Sequence, residues 1–245
     1  MHSPLLPPAG RVPLLVTGVV CAALSLVLLS LVASGLRPLM ALDREVAGEL
    51  HRRALAEPGV VRINRVMTDW VWDPWTMRAL TAVVVVVLWW RGSRLLAGWV
   101  AATSLLATLV QQGLKAAVGR ERPQWADPVD TANYAAFPSG HVMTAVVTCG
   151  LLLWVLRMHG APPSLWWGVL ALAVVSVAGV AWTRVYLGVH WLSDVLGGLL
   201  LGGAVTALSV AGYAAHAGRR GAGRSLDGRR EPPLWKARGS RDHRP

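Results

Sequence analysis

The chain is predicted to fold as an all-α, six-span transmembrane helical bundle with its active site at the extracytoplasmic end. Three observations carry that prediction. The 245 residues are 54% hydrophobic, with a mean hydropathy of +0.46, too apolar for a soluble domain. Several apolar stretches approach the roughly 20 residues that a membrane helix needs. Thirteen Trp stand against one Phe and three Tyr, a balance that suits aromatics anchoring helix ends at the membrane interface.

Taken in order, residues 1–11 form a short cytoplasmic N-terminal segment, and the first span is Val12–Leu36. Only Arg11 supplies a Lys or Arg ahead of it, and it is longer than a signal-peptide core, so it reads as an uncleaved helix. In residues 37–74, Leu39, Leu42, Val46 and Leu50 recur at helical spacing among charges. That is an amphipathic helix, either lying on the outer membrane surface or packed on the bundle. The second span, Trp75–Trp90, is short and is built on the Val83–Val87 run. The third is Leu95–Val118. The fourth, Val142–Leu156, is short again, and both short spans fit a locally thinned bilayer or borrow flanking residues. Leu165–Trp182 and Leu192–Ala214 complete the set, so that residues 12–216 make one membrane domain.

Short-loop charge sets the orientation. Arg11, Arg91, Arg94, Arg157 and the tail arginines Arg219, Arg220 and Arg224 fall on one side if six spans are crossed. Both termini are then cytoplasmic in a multi-pass plasma-membrane protein. Residues 217–245 carry nine Lys/Arg against three Asp/Glu and are Gly- and Pro-rich. They read as a basic, disordered cytoplasmic tail, serving as a topology signal or touching anionic headgroups. The net charge of +11 is therefore largely a property of the tail, and no nucleic-acid partner is implied. Cys21 and Cys149 each sit in an apolar run and read as packing residues.

Three polar segments interrupt this apolar chain, and all fall on the extracytoplasmic side. The first runs from Lys115 to Arg122 and Pro123. Lys115 is one of two lysines against 22 arginines, and it ends a span, where a cation costs about 2.5–3.5 kcal/mol unless it pairs or snorkels. Arg122 lies about two helical turns on, so both cations share a face if the helix runs up to Pro123. The alternative is a snorkelling interfacial pair. The neighbours Arg120 and Glu121 either tune the site or form a surface salt bridge, and the salt bridge is the preferred reading. The second segment is Pro138-Ser139-Gly140-His141, where a helix start, a hydroxyl and a glycine suit an anion, or where Ser139 serves simply as an N-cap. In the third, Thr183-Arg184 precedes His190 and Asp194. Four residues apart on a helix, the latter two share a face. The carboxylate can then accept from Nδ1 and leave Nε2 as nucleophile or base, unless the pair is structural.

Taken together, the segments resemble the type-2 phosphatidic acid phosphatase superfamily, which includes lipid phosphatases and, more distantly, vanadium haloperoxidases. The family signature is met at Lys115, Arg122 and Pro123, at Pro138 to His141, and at Arg184, His190 and Asp194, over residues 95–214. Thr183 stands where the family usually has Ser, and it keeps a hydroxyl. The resemblance implies His190 as nucleophile, His141 as general acid and base, and Asp194 as the group that orients His190. It implies Lys115, Arg122, Ser139, Gly140 and Arg184 as the phosphate cradle. No metal site and no cofactor are expected, and the implied partners are a membrane lipid substrate and the bilayer. The expected activity is hydrolysis of a lipid phosphate or pyrophosphate, such as phosphatidic acid, phosphatidylglycerol phosphate or undecaprenyl pyrophosphate. A phosphotransferase using the same phosphohistidine, or a non-enzymatic lipid or phosphate transporter, are the alternatives.

Overall fold

The computed structural model describes residues 8–227, and every regular element among them is helical. The elements are α1 (Pro8–Ala33), α2 (Arg37–Ala56), α3 (Pro58–Val66), a π-helical turn (Met67–Val71), α4 (Pro74–Trp90), α5 (Arg94–Val118), α6 (Gly140–Met158), α7 (Pro163–Tyr186) and α8 (Leu192–Asp227). Among the described residues six helical stretches are long and apolar enough to cross a membrane, and the protein is a multi-pass membrane protein. The second stretch is not short. It runs Pro58–Trp90, because α3 and the π-helical turn lead into α4, which Asp73 caps by accepting from the amides of Trp75 and Thr76 at 2.7 and 3.1 Å. Two terminal expectations shift as well. Helix α1 begins at Pro8, and α8 continues through residues 217–227, so that part of the tail is helical. Residues 1–7 and 228–245 lie outside the described residues.

Helix α6 is the axis of the bundle, in contact with α4, α5, α7 and α8. Val142, Met143, Ala145, Val147, Leu151 and Trp154 are all buried, so this helix is enclosed by neighbours rather than amphipathic. One apolar cluster joins it to α4, α5 and α8 through Leu88, Val100, Met143, Leu151 and Tyr213. Another joins it to α4, α7 and α8 through Met77, Val142, Val180 and Val195, with Trp72 beside them. The outward faces stay apolar, as at Val83, Leu106 and Val175, which are 51–63% exposed, as lipid contact requires. Trp70, Trp75, Trp90 and Trp167 project at helix ends, as expected of interfacial anchors. Trp72, Trp99 and Trp154 instead face protein.

Helix α2 forms where the apolar spacing places it, and it packs against α7 and α8 rather than lying free. Its buried residues are Asp43, Ala47, His51 and Ala54, whereas Leu42 is 46% exposed. A carboxylate therefore occupies the inward stripe. Its partner comes from the loop after α5.

Between α6 and α8 the backbones come unusually close. A Cβ at Gly198 would lie 2.7 Å from the Ser139 carbonyl oxygen, and one at Gly202 would lie 2.9 Å from Val146 Cβ. The two glycines are four residues apart on α8 and form a small-residue stripe against α6. Gly203 points instead toward α1, where a Cβ would meet Cys21 Sγ at an ordinary 3.5 Å. Gly198→Ala is accordingly expected to lower thermal stability in detergent by the equivalent of about 1–3 kcal/mol, the usual cost of overpacking. Gly203→Ala should leave stability close to wild type. Melting curves of the two purified variants check the contrast.

Candidate active site

The three polar segments converge at one end of the bundle, though not by the local geometry their spacing suggests. Helix α5 ends at Val118, because Gly119 adopts φ 59° and its amide returns to the Lys115 carbonyl at 3.0 Å. Pro123 is therefore not the stop, and Arg122 is presented by a loop rather than by a shared helical face. Lys115 remains in the last turn of α5, buried, with Nζ donating to the Ala135 carbonyl. Arg122 is held by loop carbonyls. Its Nε donates to Tyr134 at 2.9 Å, Nη2 to Asn133 at 3.0 Å and Nη1 to Val189 at 2.6 Å. Backbone acceptors thus fix the cation without neutralising it.

Ser139 precedes the first residue of α6 in an extended conformation, as an N-cap should, yet its hydroxyl makes no capping bond. Ser139 is fully buried, and among the described residues its Oγ has no hydrogen-bond partner. Its amide instead donates to the Asp194 carbonyl at 2.9 Å, which ties the start of α6 to the start of α8. Gly140 does more than admit an anion, because a Cβ there would come 2.5 Å from Gln111 Nε2 of α5. Gln111 is buried beside the site and was not singled out from the sequence. His141 follows in the first turn of α6, within electrostatic reach of His190, Arg184, Arg122 and Lys115.

Arg184 lies in the last turn of α7 at 3% exposure, with Nη1 donating to Thr68 Oγ1 at 3.1 Å. Its buried Nε lacks a partner among the described residues. Thr68 comes from the π-helical turn, an irregularity often found at functional sites. The Thr183 hydroxyl is not a site group. It donates back to the Val180 carbonyl at 2.9 Å.

His190 and Asp194 do pair, but not as neighbours on one helix. After α7, Gly188 takes φ 68°, and the amides of Val189 and His190 both return to the Arg184 carbonyl. Helix α8 starts only at Leu192, so His190 sits in the turn and Asp194 in the first helical turn. His190 Nδ1 lies 3.3 Å from Asp194 Oδ2, at the long end of hydrogen bonding, and that oxygen also accepts the Trp191 amide at 2.9 Å. On the other edge of the ring, Nε2 lies 3.1 Å from Arg122 Nη1. Because the guanidinium has only protons to offer, Nε2 must present its lone pair and Nδ1 its proton. Burial first, then the charges of Arg122, Arg184 and Lys115, hold the His190 pKa well below the ordinary imidazole range. Burial likewise lowers the pKa of Arg122.

Arg120 overturns the surface salt-bridge expectation. It turns inward and donates to Asp194 Oδ1 at 2.6 Å and to Asp43 Oδ2 at 2.7 Å, while Glu121 stays exposed. The signal available in the sequence was Asp43 itself. It lies on the same helical stripe as Leu39, Val46 and Leu50, where a carboxylate demands a partner.

Residues 96–216 match the PAP2 superfamily, close to the 95–214 expected from the signature. The chain is 38% identical over 97 residues to phosphatidylglycerophosphatase B of Bacillus subtilis, covering 38% of this chain and 46% of that one. It is 36% identical over 75 residues to an undecaprenyl-diphosphatase of Sulfolobus acidocaldarius, covering 31% and 32% respectively. It is 38% identical over 98 residues to a decaprenylphosphoryl-5-phosphoribose phosphatase of Mycobacterium tuberculosis, covering 39% and 49%. The matches thus span less than half the length of each of these relatives. The fold matches the crystal structure of a transmembrane PAP2 type phosphatidylglycerolphosphate phosphatase from Bacillus subtilis. The TM-score is 0.71 at 21% identity, over 82% of this chain and 96% of that one. This chain therefore carries a PAP2 superfamily domain over residues 96–216, on a helical bundle whose fold matches that of a transmembrane PAP2 type phosphatase.

Proposed function

We propose that this protein hydrolyses a lipid phosphate or pyrophosphate through a phosphohistidine on His190. One observation carries the reading. A buried imidazole is gripped on one edge by a carboxylate and faces a fixed guanidinium on the other, with two further cations within reach. Binding a phosphate needs only the cations. The oriented histidine is what chemistry needs in addition.

In this mechanism the phosphate enters between Nε2 and Arg122, and the guanidinium exchanges the imidazole lone pair for a phosphate oxygen. The unpartnered Ser139 Oγ and Arg184 Nε supply two further donors, with Lys115 and the Gly140 amide completing the cradle. Nε2 attacks phosphorus in line as the bond to the leaving oxygen breaks, and His141 protonates that oxygen. Asp194 stabilises the imidazolium that forms. His141 then takes a proton from water, whose oxygen attacks phosphorus and releases phosphate and neutral His190. Each cation at about 4 Å contributes on the order of 4 kcal/mol at an effective dielectric near 20, before desolvation. Charge neutralisation of that size is the service a metal would otherwise supply, so the reaction is read as metal-independent.

Residues 12–216 act as the membrane phosphatase domain in this reading. The site opens to the extracytoplasmic face of the plasma membrane, since Arg91, Arg94 and Arg157 lie at the opposite end of the helices from His190. The names of the similar proteins, phosphatases of lipid phosphates and pyrophosphates, support that substrate class for this chain.

The test is phosphate release by detergent-purified protein from phosphatidic acid, phosphatidylglycerol phosphate and undecaprenyl pyrophosphate. His190→Ala and Asp194→Ala should keep a monodisperse fold and lose turnover, by at least about 100-fold for His190. EDTA should leave the wild-type rate unchanged, and its abolition by EDTA would sink the metal-independent mechanism.

The pH dependence has a definite sign. Neutral His190 is the nucleophile, so the rate is full above its depressed pKa and is lost as pH falls through it. Arg122→Gln removes the largest of the charges that depress it and leaves burial, the first cause, in place, so the limb should move to higher pH. The ratio of kcat/KM for the variant to that for wild type should therefore fall as pH is lowered through that limb, and in this ratio the substrate's own titration cancels. A flat ratio would remove His190 from the nucleophile role.

A further inference from the structure

The Asp194 carboxylate is held from behind by groups that lie outside the phosphate pocket. Arg120 Nη1 bonds Asp194 Oδ1 at 2.6 Å and Ser193 Oγ at 2.7 Å, while Nη2 bonds Asp43 Oδ2 at 2.7 Å. Asp43 in turn accepts the Ser193 amide at 2.9 Å and the Ser193 hydroxyl at 2.5 Å. The guanidinium carbon sits 5.7 Å from the centre of the Trp191 ring. The side chains of Asp43 and Asp194 are 2% and 0% exposed, and that of Arg120 is 10% exposed. Asp43 belongs to α2, which lies wholly outside residues 96–216.

Two buried carboxylates are costly unless a cation and further donors compensate them. Here one planar guanidinium bridges both, a geometry that a lysine's point charge cannot reproduce. Both Nη nitrogens of Arg120 are thus engaged away from the phosphate pocket. We propose that Arg120 and Asp43 are positioning residues: Arg120 locks the Asp194 carboxylate in the orientation that meets His190 Nδ1, and Asp43 holds Arg120 and the first turn of α8 in register. This assignment rests on the hydrolase reading above. It makes the reaction centre depend on a helix outside the matched domain.

The trio also sets a local charge. Asp43, Arg120 and Asp194 together carry one net negative charge beside His190. The other charged or titratable groups that face His190 are Lys115 from α5, Arg122 from the loop, His141 from α6 and Arg184 from α7. Asp43→Asn preserves shape but leaves the whole Arg120 charge on Asp194, which weakens the carboxylate's support of an imidazolium. The acid limb of kcat/KM must then move to lower pH.

The experiment measures kcat, KM and the pH profile of the full-length protein on whichever of the three lipids wild type hydrolyses best. The variants are Arg120→Met, Arg120→Lys, Asp43→Asn and the Arg120→Met/Asp43→Asn double, each checked for monodispersity. Arg120→Met should lower kcat about 10- to 100-fold, the range in which the outer partners of metal-bound histidines act, with KM within about 3-fold. Arg120→Lys should restore only part of the loss, and it serves as the test if the Met variant does not fold. Asp43→Asn should lower kcat less and shift the limb to the acid side. The double variant should lose no more than Arg120→Met alone, because the Asn keeps an oxygen for the Ser193 amide and removes only what Asp43 does through Arg120. Wild-type kcat in the Arg120 variants, a loss confined to KM, additive losses in the double, or an Asp43→Asn limb that stays put or moves alkaline would each overturn the proposal while leaving the hydrolase reading intact. A wild-type protein that releases no phosphate from any of the lipids overturns both.

Discussion

The hydrogen bond from the Ser139 amide to the Asp194 carbonyl, 2.9 Å long, joins the two halves of the site. One half is the start of α6, with Ser139, Gly140 and His141. The other is the turn before α8, with His190 and Asp194. Neither half is useful alone, since a histidine and a hydroxyl from separate helices must meet within a single phosphate's reach. The bond forms only because α8 offers Gly198 at the contact, where any side chain would strike the Ser139 carbonyl. Close backbone approach between small residues is also how helices associate in lipid, where the apolar surroundings offer no hydrophobic reward for contact. The same packing rule therefore serves stability and chemistry at one place.

Burying cations at the end of a bundle poses a solvation problem, and the chain solves it with its own backbone. Carbonyls of Asn133, Tyr134, Ala135 and Val189 receive the protons of Lys115 and Arg122. Dipoles hold the cations in place without cancelling their charge. What remains uncompensated is directed inward, at the imidazole and at the unpartnered Ser139 Oγ and Arg184 Nε. A buried donor with no partner is expensive in a resting protein, so such groups are found where an incoming acceptor will satisfy them. The carboxylates lie on the opposite side of His190, collected around Arg120. The imidazole thus sits between a positive wall that receives phosphate and a negative wall that receives the histidine's developing charge.

How much of this the sequence determined follows from the range of the forces involved. Membrane solvation acts on every residue of a span, so six spans were legible from the apolar stretches, but not the extent of the second or the inward packing of Trp72, Trp99 and Trp154. The residue types of the site were legible too, because a lysine, two arginines and a histidine–aspartate pair have few other reasons to stand in apolar company. Local spacing was a poorer guide. Lys115 and Arg122 converge although Gly119 ends α5 between them, and His190 meets Asp194 across a turn rather than along a helix. Both outcomes depend on a glycine with positive φ, a detail of chain direction that no hydrophobic period reports.

Tertiary structure alone decided which polar groups belong to one another. Arg120 looked like a surface residue because its immediate neighbours in the chain are polar. It is buried because α2 brings Asp43 to it from 77 residues away. Thr183 stands where the family usually has Ser, and its hydroxyl is taken by an acceptor in its own helix. Gln111 carried no motif and was invisible until Gly140 left room beside it. Sequence fixes what each side chain can offer. Which offer is taken depends on the partner that packing carries into range, because a hydrogen bond is decided over a few tenths of an ångström.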